Sequence, residues 1–402
     1  MHRRRFLQLA GRLGAFLGVS TTGLHPLAQR KKTTEGPNTL AVSLDSGWLI
    51  ATDPNNVGRD QAWFRAPQPG AKATRVPSVL QETFPAYHGL VWYWLQFKPE
   101  PQPFVNGRYL LRFNSVDYLA DVWLNSVHLG SHEGSETPFV LDATDLIRPG
   151  TINTLSLRVL NPDNQPIDGI VLAETPHRNK VVRFGNGSSF DYGGILLPVE
   201  LLLTPAVRIA SLHLRPDWKT GQVQIDGEVN NASTRTHTAQ VNFSITRTTM
   251  DEPLLADATS FTVPPGDSSV HHEMQVTNHR LWQLDDPCLY RLQARLQTMD
   301  GGDIHEASTC YGFRDFRVVD GYFRLNGRRI FLKSTHTGNH VPFGQVVPIP
   351  GYPDLLRRDL LYAKASGFNM VRYISGLAYP DELSMCDELG LRSEEHTSEL
   401  QS

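Results

Sequence analysis

The chain is predicted to be a multidomain, mainly β protein. A jelly-roll β-sandwich is expected over residues 40–205, an immunoglobulin-like β-sandwich over 206–318, and the first βα units of an incomplete (β/α)8 TIM barrel over 319–391. Two observations carry the sandwiches: apolar and polar residues alternate at period two through both regions, and turn clusters cut the alternation into short strands. A third carries the barrel. Beyond residue 354 the period becomes helical, and a short apolar strand lies between two helical runs, which is the βα rhythm of a parallel sheet.

Composition bounds the rest. Of 402 residues, 20% are charged and 40% hydrophobic, and the net charge is −3. This is a soluble globular composition with room for roughly two to four domains. Lysines and arginines are scattered except at Arg3, Arg4 and Arg5 and at residues 30–32, so no polyanion groove and no nucleic-acid partner are expected. The three cysteines, Cys288, Cys310 and Cys386, are too few and too far apart for a zinc site or a disulfide framework. Cys288 and Cys310 pair only if their strands are neighbours in an oxidising compartment; two unpaired core thiols are the preferred reading.

Residues 1–34 read as an export signal and linker. Arg3, Arg4 and Arg5 precede Phe6 and Leu7, and a weakly apolar run from Leu9 to Val19, interrupted by Arg12, follows. The order Arg-Arg-x-Phe-Leu from Arg3 resembles the twin-arginine signal, whose cargo crosses the bacterial membrane folded. An ordinary secretory signal is the alternative, and a lipoprotein anchor falls away because no cysteine is near. No later stretch has the ~20 apolar residues of a membrane span, so the mature chain is expected to be periplasmic or extracellular.

In the first sandwich Leu155, Leu157 and Val159 alternate with Ser156 and Arg158, while Val199, Leu201 and Leu203 flank Glu200 and Leu202, a strand buried on both faces. Asn125 and Ser126, set between two apolar runs, signal a two-residue hairpin. Trp48, Trp63, Trp92, Trp94 and Trp123 crowd this region. Such aromatics can form a sugar platform, but core packing is the favoured reading for each. In the second sandwich Val241, Phe243 and Ile245 alternate with polar residues, as do Tyr290, Leu292, Ala294 and Leu296, and the length of the region suits an immunoglobulin-like module. His271 and His272 are adjacent, so they point to opposite faces of a strand and are read as solvated rather than as ligands.

The barrel opening is the most informative stretch. Asp354 is placed to cap a helix that buries Leu356, Leu360 and Ala363, and Gly367 stands where a left-handed stop is expected. Met370, Val371, Tyr373 and Ile374 make a short strand, and Pro380 and Asp381 reopen the chain into a helix burying Leu383 and Cys386 or Leu389. Arg372 lies among the apolar strand residues, either as an ion-pair brace or as an active-site residue.

Taken in order, these segments resemble glycoside hydrolase family 2, which includes β-galactosidases, β-glucuronidases and β-mannosidases. In the first sandwich the resemblance rests on Tyr87-His88-Gly89-Leu90-Val91-Trp92-Tyr93, on Leu111-Arg112-Phe113, on Asp121-Val122-Trp123-Leu124-Asn125, on Gly130-Ser131-His132-Glu133-Gly134 and on Phe190-Asp191-Tyr192-Gly193-Gly194. It continues through Leu281-Trp282, Asp286-Pro287 and Gly312-Phe313-Arg314, and into the barrel at Gly367-Phe368-Asn369-Met370-Val371-Arg372 and Cys386-Asp387-Glu388-Leu389-Gly390. The match covers about residues 40–391, and so many phrases in order make chance a poor explanation.

The resemblance implies a sugar-binding-like first sandwich and a retaining β-glycosidase acting on β-linked oligosaccharides or glycosides at the C-terminal face of the barrel. That chemistry needs two carboxyl groups about 5 Å apart, one protonating the leaving oxygen and the other attacking the anomeric carbon. In the family both are glutamates on strands four and seven, beyond the end of this chain, so no catalytic residue is assigned and the chain is expected to be inactive by itself. Arg372 matches the family's strand-two arginine, which would keep the nucleophile ionised. His340 matches a histidine after strand one, and Asp191, in a sandwich loop, is a candidate for touching sugar hydroxyls or else a turn-capping aspartate. Ser375 stands where many members have the histidine of a Ser-His-Tyr-Pro stretch, which leaves sugar and linkage open. No metal ligand set is visible; some relatives use Mg²⁺ or Na⁺ through barrel residues absent from this chain. An oligomer is left open. The alternative reading is a non-catalytic carbohydrate-binding β-sandwich protein.

From Gly321 onward the chain is far shorter than the ~250 residues of a complete barrel. Residues 392–402, Arg-Ser-Glu-Glu-His-Thr-Ser-Glu-Leu-Gln-Ser, have no strand or helix period and resemble the translation of a sequencing adapter joined to a gene fragment. Native sequence is therefore expected to end near Leu391, no role is assigned to Glu394, Glu395 or Glu399, and the part after Gly321 is expected to be looser than the sandwiches.

Overall fold

The computed structural model describes residues 39–135, 137–175, 191–337, 355–374 and 378–396. Its first sandwich faces a four-stranded antiparallel sheet, ordered Leu40–Ser43, Val199–Thr204, Arg108–Phe113 and Phe139–Asp142, against a six-stranded one. The six run Lys72–Thr74, Trp48–Thr52, Gly89–Phe97, Asn153–Asn161, Leu119–Leu124 and Val127–Glu133. Between the sheets lie Ile50, Tyr93, Leu111, Phe113, Val122, Leu157 and Leu201, all buried. Asn125 and Ser126 form the expected hairpin with φ of +51° and +70°. Both central residues are left-handed, as a type I′ turn demands.

The alternation of residues 155–159 is real, yet Ser156 and Arg158 are as buried as their apolar neighbours. Register explains this. Trp94, Ser156 and Trp123 form one cross-strand row, and Trp92, Arg158 and Asp121 the next, on the face away from the core. The excursion of residues 53–66 covers that face: Phe64 stacks on Trp123 at 5.5 Å, and Trp94 donates its indole N–H to the Trp63 carbonyl at 2.7 Å. Arg158 is held by Asn56 at 2.8 Å and Asp168 at 2.5 Å, so its buried charge is paired. Four of the five tryptophans are thus buried, Trp48 against the main core and Trp92, Trp94 and Trp123 in this second layer.

The second sandwich faces a three-stranded sheet, Val207–Pro216, Gln222–Asn231 and Gly266–Gln275, against a four-stranded one, Leu255–Val263, His237–Arg247, Tyr290–Thr298 and His305–Tyr311. Phe243, Ile245, Leu292, Val223 and Ile225 fill the space between. Two expectations need correction. Cys288 and Cys310 are unpaired, but Cys310 is exposed rather than a core thiol, because its register opposite Arg291 turns it outward on an edge strand. His271 is exposed beside Asp226, whereas His272 points inward, stacks on Phe243 at 5.1 Å and reaches Asp257 at 3.1 Å.

The chain then enters a short antiparallel hairpin, Phe316–Val319 with Tyr322–Leu325 and Arg328–Arg329, and the parallel sheet. Its elements are β1 (Ser334–Thr337), α1 (Leu355–Ala365), β2 (Met370–Ile374), α2 (Pro380–Leu389) and β3 (Arg392–His396), with β2 central. Leu356 and Leu360 of α1 and Cys386 of α2 pack on Val371 and Tyr373 of β2. Gly367 has φ +85°, the left-handed stop after α1. At the start of α2 the Glu382 carboxylate accepts the Tyr379 backbone N–H at 2.7 Å, a capping interaction that explains the burial of a glutamate. Asp354, the expected cap of α1, lies outside the described residues.

β3 was not expected. Residues 392–396 carry no strand pattern, yet they pair in parallel register with residues 370–374. The physical reason is the open edge of β2, whose backbone N–H and C=O groups need partners and accept a strand irrespective of its side chains.

The second sandwich is fastened to this sheet through Trp282. That side chain is fully buried, packs with Leu289 and Leu325, and donates its indole N–H to the Asp387 carbonyl at 2.8 Å. Arg314 lies over its ring at 4.9 Å and pairs with the Asp387 carboxylate at 2.5 Å. Lys364 reaches both the Leu284 and the Gly390 carbonyls. At Gly390, φ is +68° and a β-carbon would come within 2.1 Å of the Leu284 oxygen, so only glycine fits this junction.

Candidate functional site

Strand alternation fixes which way Arg372 faces. Val371 and Tyr373 are fully buried against α1 and α2, so Met370 and Arg372 point to the opposite face of β2, the interior side of a barrel. In the parallel register His336 of β1 stands beside Arg372, and Glu394 of β3 stands on its other side. The three form one row on the interior face, with neighbouring backbones about 4.8 Å apart. Arg372 is half-buried, and its Nε has no hydrogen-bond partner among the described residues.

Sequence reasoning missed His336, and it gave Glu394 no role. Nothing in residues 334–337 by themselves marks His336; only the parallel register with 370–373 puts it opposite Arg372. At the N-terminal end of the same face the Arg392 guanidinium lies 3.7 Å over the Phe316 ring, so the hairpin covers that end. The opposite end, where β2 runs into α2, is the one an active site would use.

The first sandwich reaches that end. Leu197 and Tyr379 are both buried and pack on each other, and Tyr379 caps α2 just beyond β2. Leu197 closes the segment that begins at Asp191. Asp191 is 1% exposed. Its carboxylate accepts the Asn161 amide N–H at 2.9 Å, Asn161 accepts from Gln81 at 2.8 Å, and the Asp191 carbonyl accepts the His88 Nε2–H at 2.8 Å. Burial holds the His88 pKa below its usual value, which keeps the ring neutral and in this tautomer at neutral pH. The glycines after it are required: a β-carbon on Gly193 would meet Asn161 at 2.5 Å, and one on Gly194, with φ +127°, would meet the Tyr93 hydroxyl and the Leu80 nitrogen at 2.9 Å.

Of the four sequence-predicted site residues, Arg372 faces the interior of the parallel sheet, and Asp191 fastens the sandwich segment that rims its C-terminal end. His340 and Ser375 lie outside the described residues. Among the side chains described, the interior positions of β1–β3 are Ser334, His336, Met370, Arg372, Arg392 and Glu394, which include one carboxylate. A fixed guanidinium beside a carboxylate keeps it ionised, but acid and nucleophile together need two. Among the described residues no group of three or more His, Cys, Asp or Glu side chains gathers to hold a Mg²⁺ or Na⁺.

Comparison with known proteins agrees with this architecture. The family model described as glycosyl hydrolases family 2, sugar binding domain, matches residues 79–205, and that of glycosyl hydrolases family 2 matches 207–314. A β-glucuronidase of Paenibacillus borealis is 27% identical over 71% of this chain and 47% of its own. The β-glucuronidase of Canis lupus familiaris is 26% identical over 89% of this chain and 57% of its own. Among solved structures, Bacteroides uniformis β-glucuronidase 2, covalently bound to cyclophellitol-6-carboxylate aziridine, superposes with a TM-score of 0.71 at 21% identity, covering 89% of this chain and 42% of that one. The Ruminococcus gnavus β-glucuronidase in complex with D-glucaro-1,5-lactone gives 0.69 at 20% identity, covering 94% and 61%. The chain therefore spans about half the length of the curated relatives named.

Proposed function

The chain belongs to glycosyl hydrolase family 2, and from that premise we propose that it is the sandwich scaffold and barrel opening of a retaining β-glycosidase. The observation that carries the reading is Arg372: an interior-facing arginine on the central parallel strand, beside a C-terminal end rimmed by the Asp191–Leu197 segment. In the working site it holds the nucleophilic carboxylate ionised, and the sandwich segment forms one wall of the sugar pocket. The relatives named are β-glucuronidases, which makes a β-linked uronide the first substrate class to test.

The chain as it stands is proposed not to hydrolyse glycosides, because its described interior row supplies one carboxylate where two are needed. Export by the twin-arginine route is proposed from the Arg3 to Leu7 order, which lies outside the described residues. Burial of Trp92, Trp94 and Trp123 leaves little aromatic platform and disfavours a purely carbohydrate-binding role.

The test is a chimera joining residues 40–391 to the remaining βα units of the Paenibacillus borealis relative, assayed on nitrophenyl β-D-glucuronide, β-D-galactoside and β-D-mannoside. Turnover of one, abolished by Arg372→Ala in a chimera that still folds, is the expected result. A folded chimera that binds but turns over none of them would overturn the glycosidase reading.

A further inference from the structure

Where the second sandwich meets the first, a cavity of about 400 Å³ is lined by Leu110, Arg112 and Leu202 on one side and by Arg208, Ile209 and His305 on the other. His305 is 6% exposed and opens an edge strand. Its Nδ1 accepts the Ile209 backbone N–H at 3.2 Å, at the point where the pairing of Val207–Pro216 slips between Ile209 and Ser211. Val207–Pro216 is an edge strand of its sheet, and the imidazole satisfies an amide on it that faces His305. With Nδ1 an acceptor, Nε2 carries the proton and donates to Thr39 Oγ1 at 3.3 Å. Thr39 immediately precedes Leu40–Ser43, the edge strand of the first sandwich. One neutral ring therefore ties the bulge of one sandwich to the opening strand of the other.

We infer that this joint is a proton-operated latch: neutral His305 holds Thr39 and the Ile209 bulge together, and protonation of the ring releases them. A proton on Nδ1 would set donor against donor at Ile209. The charged groups facing the cavity are Arg112 and Arg208, and no carboxylate is among its described lining residues. Glu200 is taken up by Arg112 at 2.7 Å and Asp142 by Arg108 at 2.8 Å, while Glu306, next to His305 in the chain, pairs with Arg295 at 3.4 Å. An imidazolium would find two like charges and no free counter-charge. Burial first, and the Arg208 charge second, push the His305 pKa down to about 4. An unfolded histidine titrates near 6.5, so the latch is fully set above that pH and weakens as pH falls from about 6.5 toward about 4.

The experiment is amide hydrogen exchange on the whole chain at about pH 7 and about pH 4.5, corrected for intrinsic exchange. Protection at Ile209 and across Leu40–Ser43 is expected to fall at least about tenfold on acidification, and not to fall in His305→Gln, whose amide keeps one acceptor and one donor without titrating. Should that variant not fold, Thr39→Val serves: Leu40–Ser43 should already exchange fast at neutral pH, while Ile209 still loses protection in acid. Equal protection at both pH values in the unaltered chain, or an equal loss in His305→Gln, would overturn the inference.

Discussion

In the two sandwiches each sheet is faced by another sheet, whereas the β1–β3 sheet is covered by helices on one face and presents His336, Arg372 and Glu394 on the other. The contrast is one of where stabilising partners come from. Phe113 or Phe243 is surrounded within its own sandwich, while the barrel opening leans on the second sandwich through Trp282, Arg314 and Lys364. Stability should therefore pass from the sandwiches to the parallel sheet and not in reverse.

The largest expected effect breaks that dependence. Trp282→Ala removes a fully buried indole and its hydrogen bond to Asp387, a loss of about 3–5 kcal/mol by analogy with core aromatics. Limited proteolysis should then cut within residues 334–396 while the first sandwich stays intact; simultaneous loss of both would show that the regions are one cooperative unit. Next comes Leu360→Ala, which opens a cavity between α1 and β2 at a local cost of about 2–4 kcal/mol. Hydrogen exchange should quicken at residues 355–374 and leave Leu111 and Leu292 unchanged.

Alkaline pH gives a third, somewhat smaller separation. Burial pushes the Cys386 thiol up to about 11, although the nearby Tyr373 hydroxyl, 3.6 Å away, works the other way. A raised thiol pKa means that the unfolded chain loses its proton first, so stability present below about 9 is lost as pH rises toward about 11, by about 2–3 kcal/mol. Exchange at Val371 and Tyr373 should rise across that window, and Cys386→Ala should remove the dependence. The smallest effect lies in the sandwich. Ser126 holds φ +70° in its hairpin, and Ser126→Gly should raise stability by roughly 0.5–1 kcal/mol in chemical denaturation, without altering exchange in the barrel opening.

Much of this contrast was legible in the sequence because it is local. Period-two runs, the Asn125–Ser126 turn, the Leu356 and Leu360 stripe and the glycine stop at Gly367 are all set by neighbours within a few residues. What could not be read depends on partners distant in the chain. Ser156 and Arg158 look like an exposed face until residues 53–66 fold over them. The row of His336, Arg372 and Glu394 follows from parallel register, which the side chains of one strand do not encode. Asp191 reads in sequence as a sugar contact or a turn cap; its burial depends on Asn161 and, through it, Gln81. β3 arises from an open edge rather than from its own pattern.

The described residues place one wall and one charge of the proposed glycosidase site, with a single interior carboxylate beside Arg372 where the chemistry needs two. The direct measurement is release of nitrophenol from nitrophenyl β-D-glucuronide, β-D-galactoside and β-D-mannoside by the purified, folded chain beside its Arg372→Ala variant. No release above the buffer rate from either protein is the predicted result. Turnover by the chain that disappears in Arg372→Ala would contradict the proposal, because the chain itself would then have to furnish both catalytic groups.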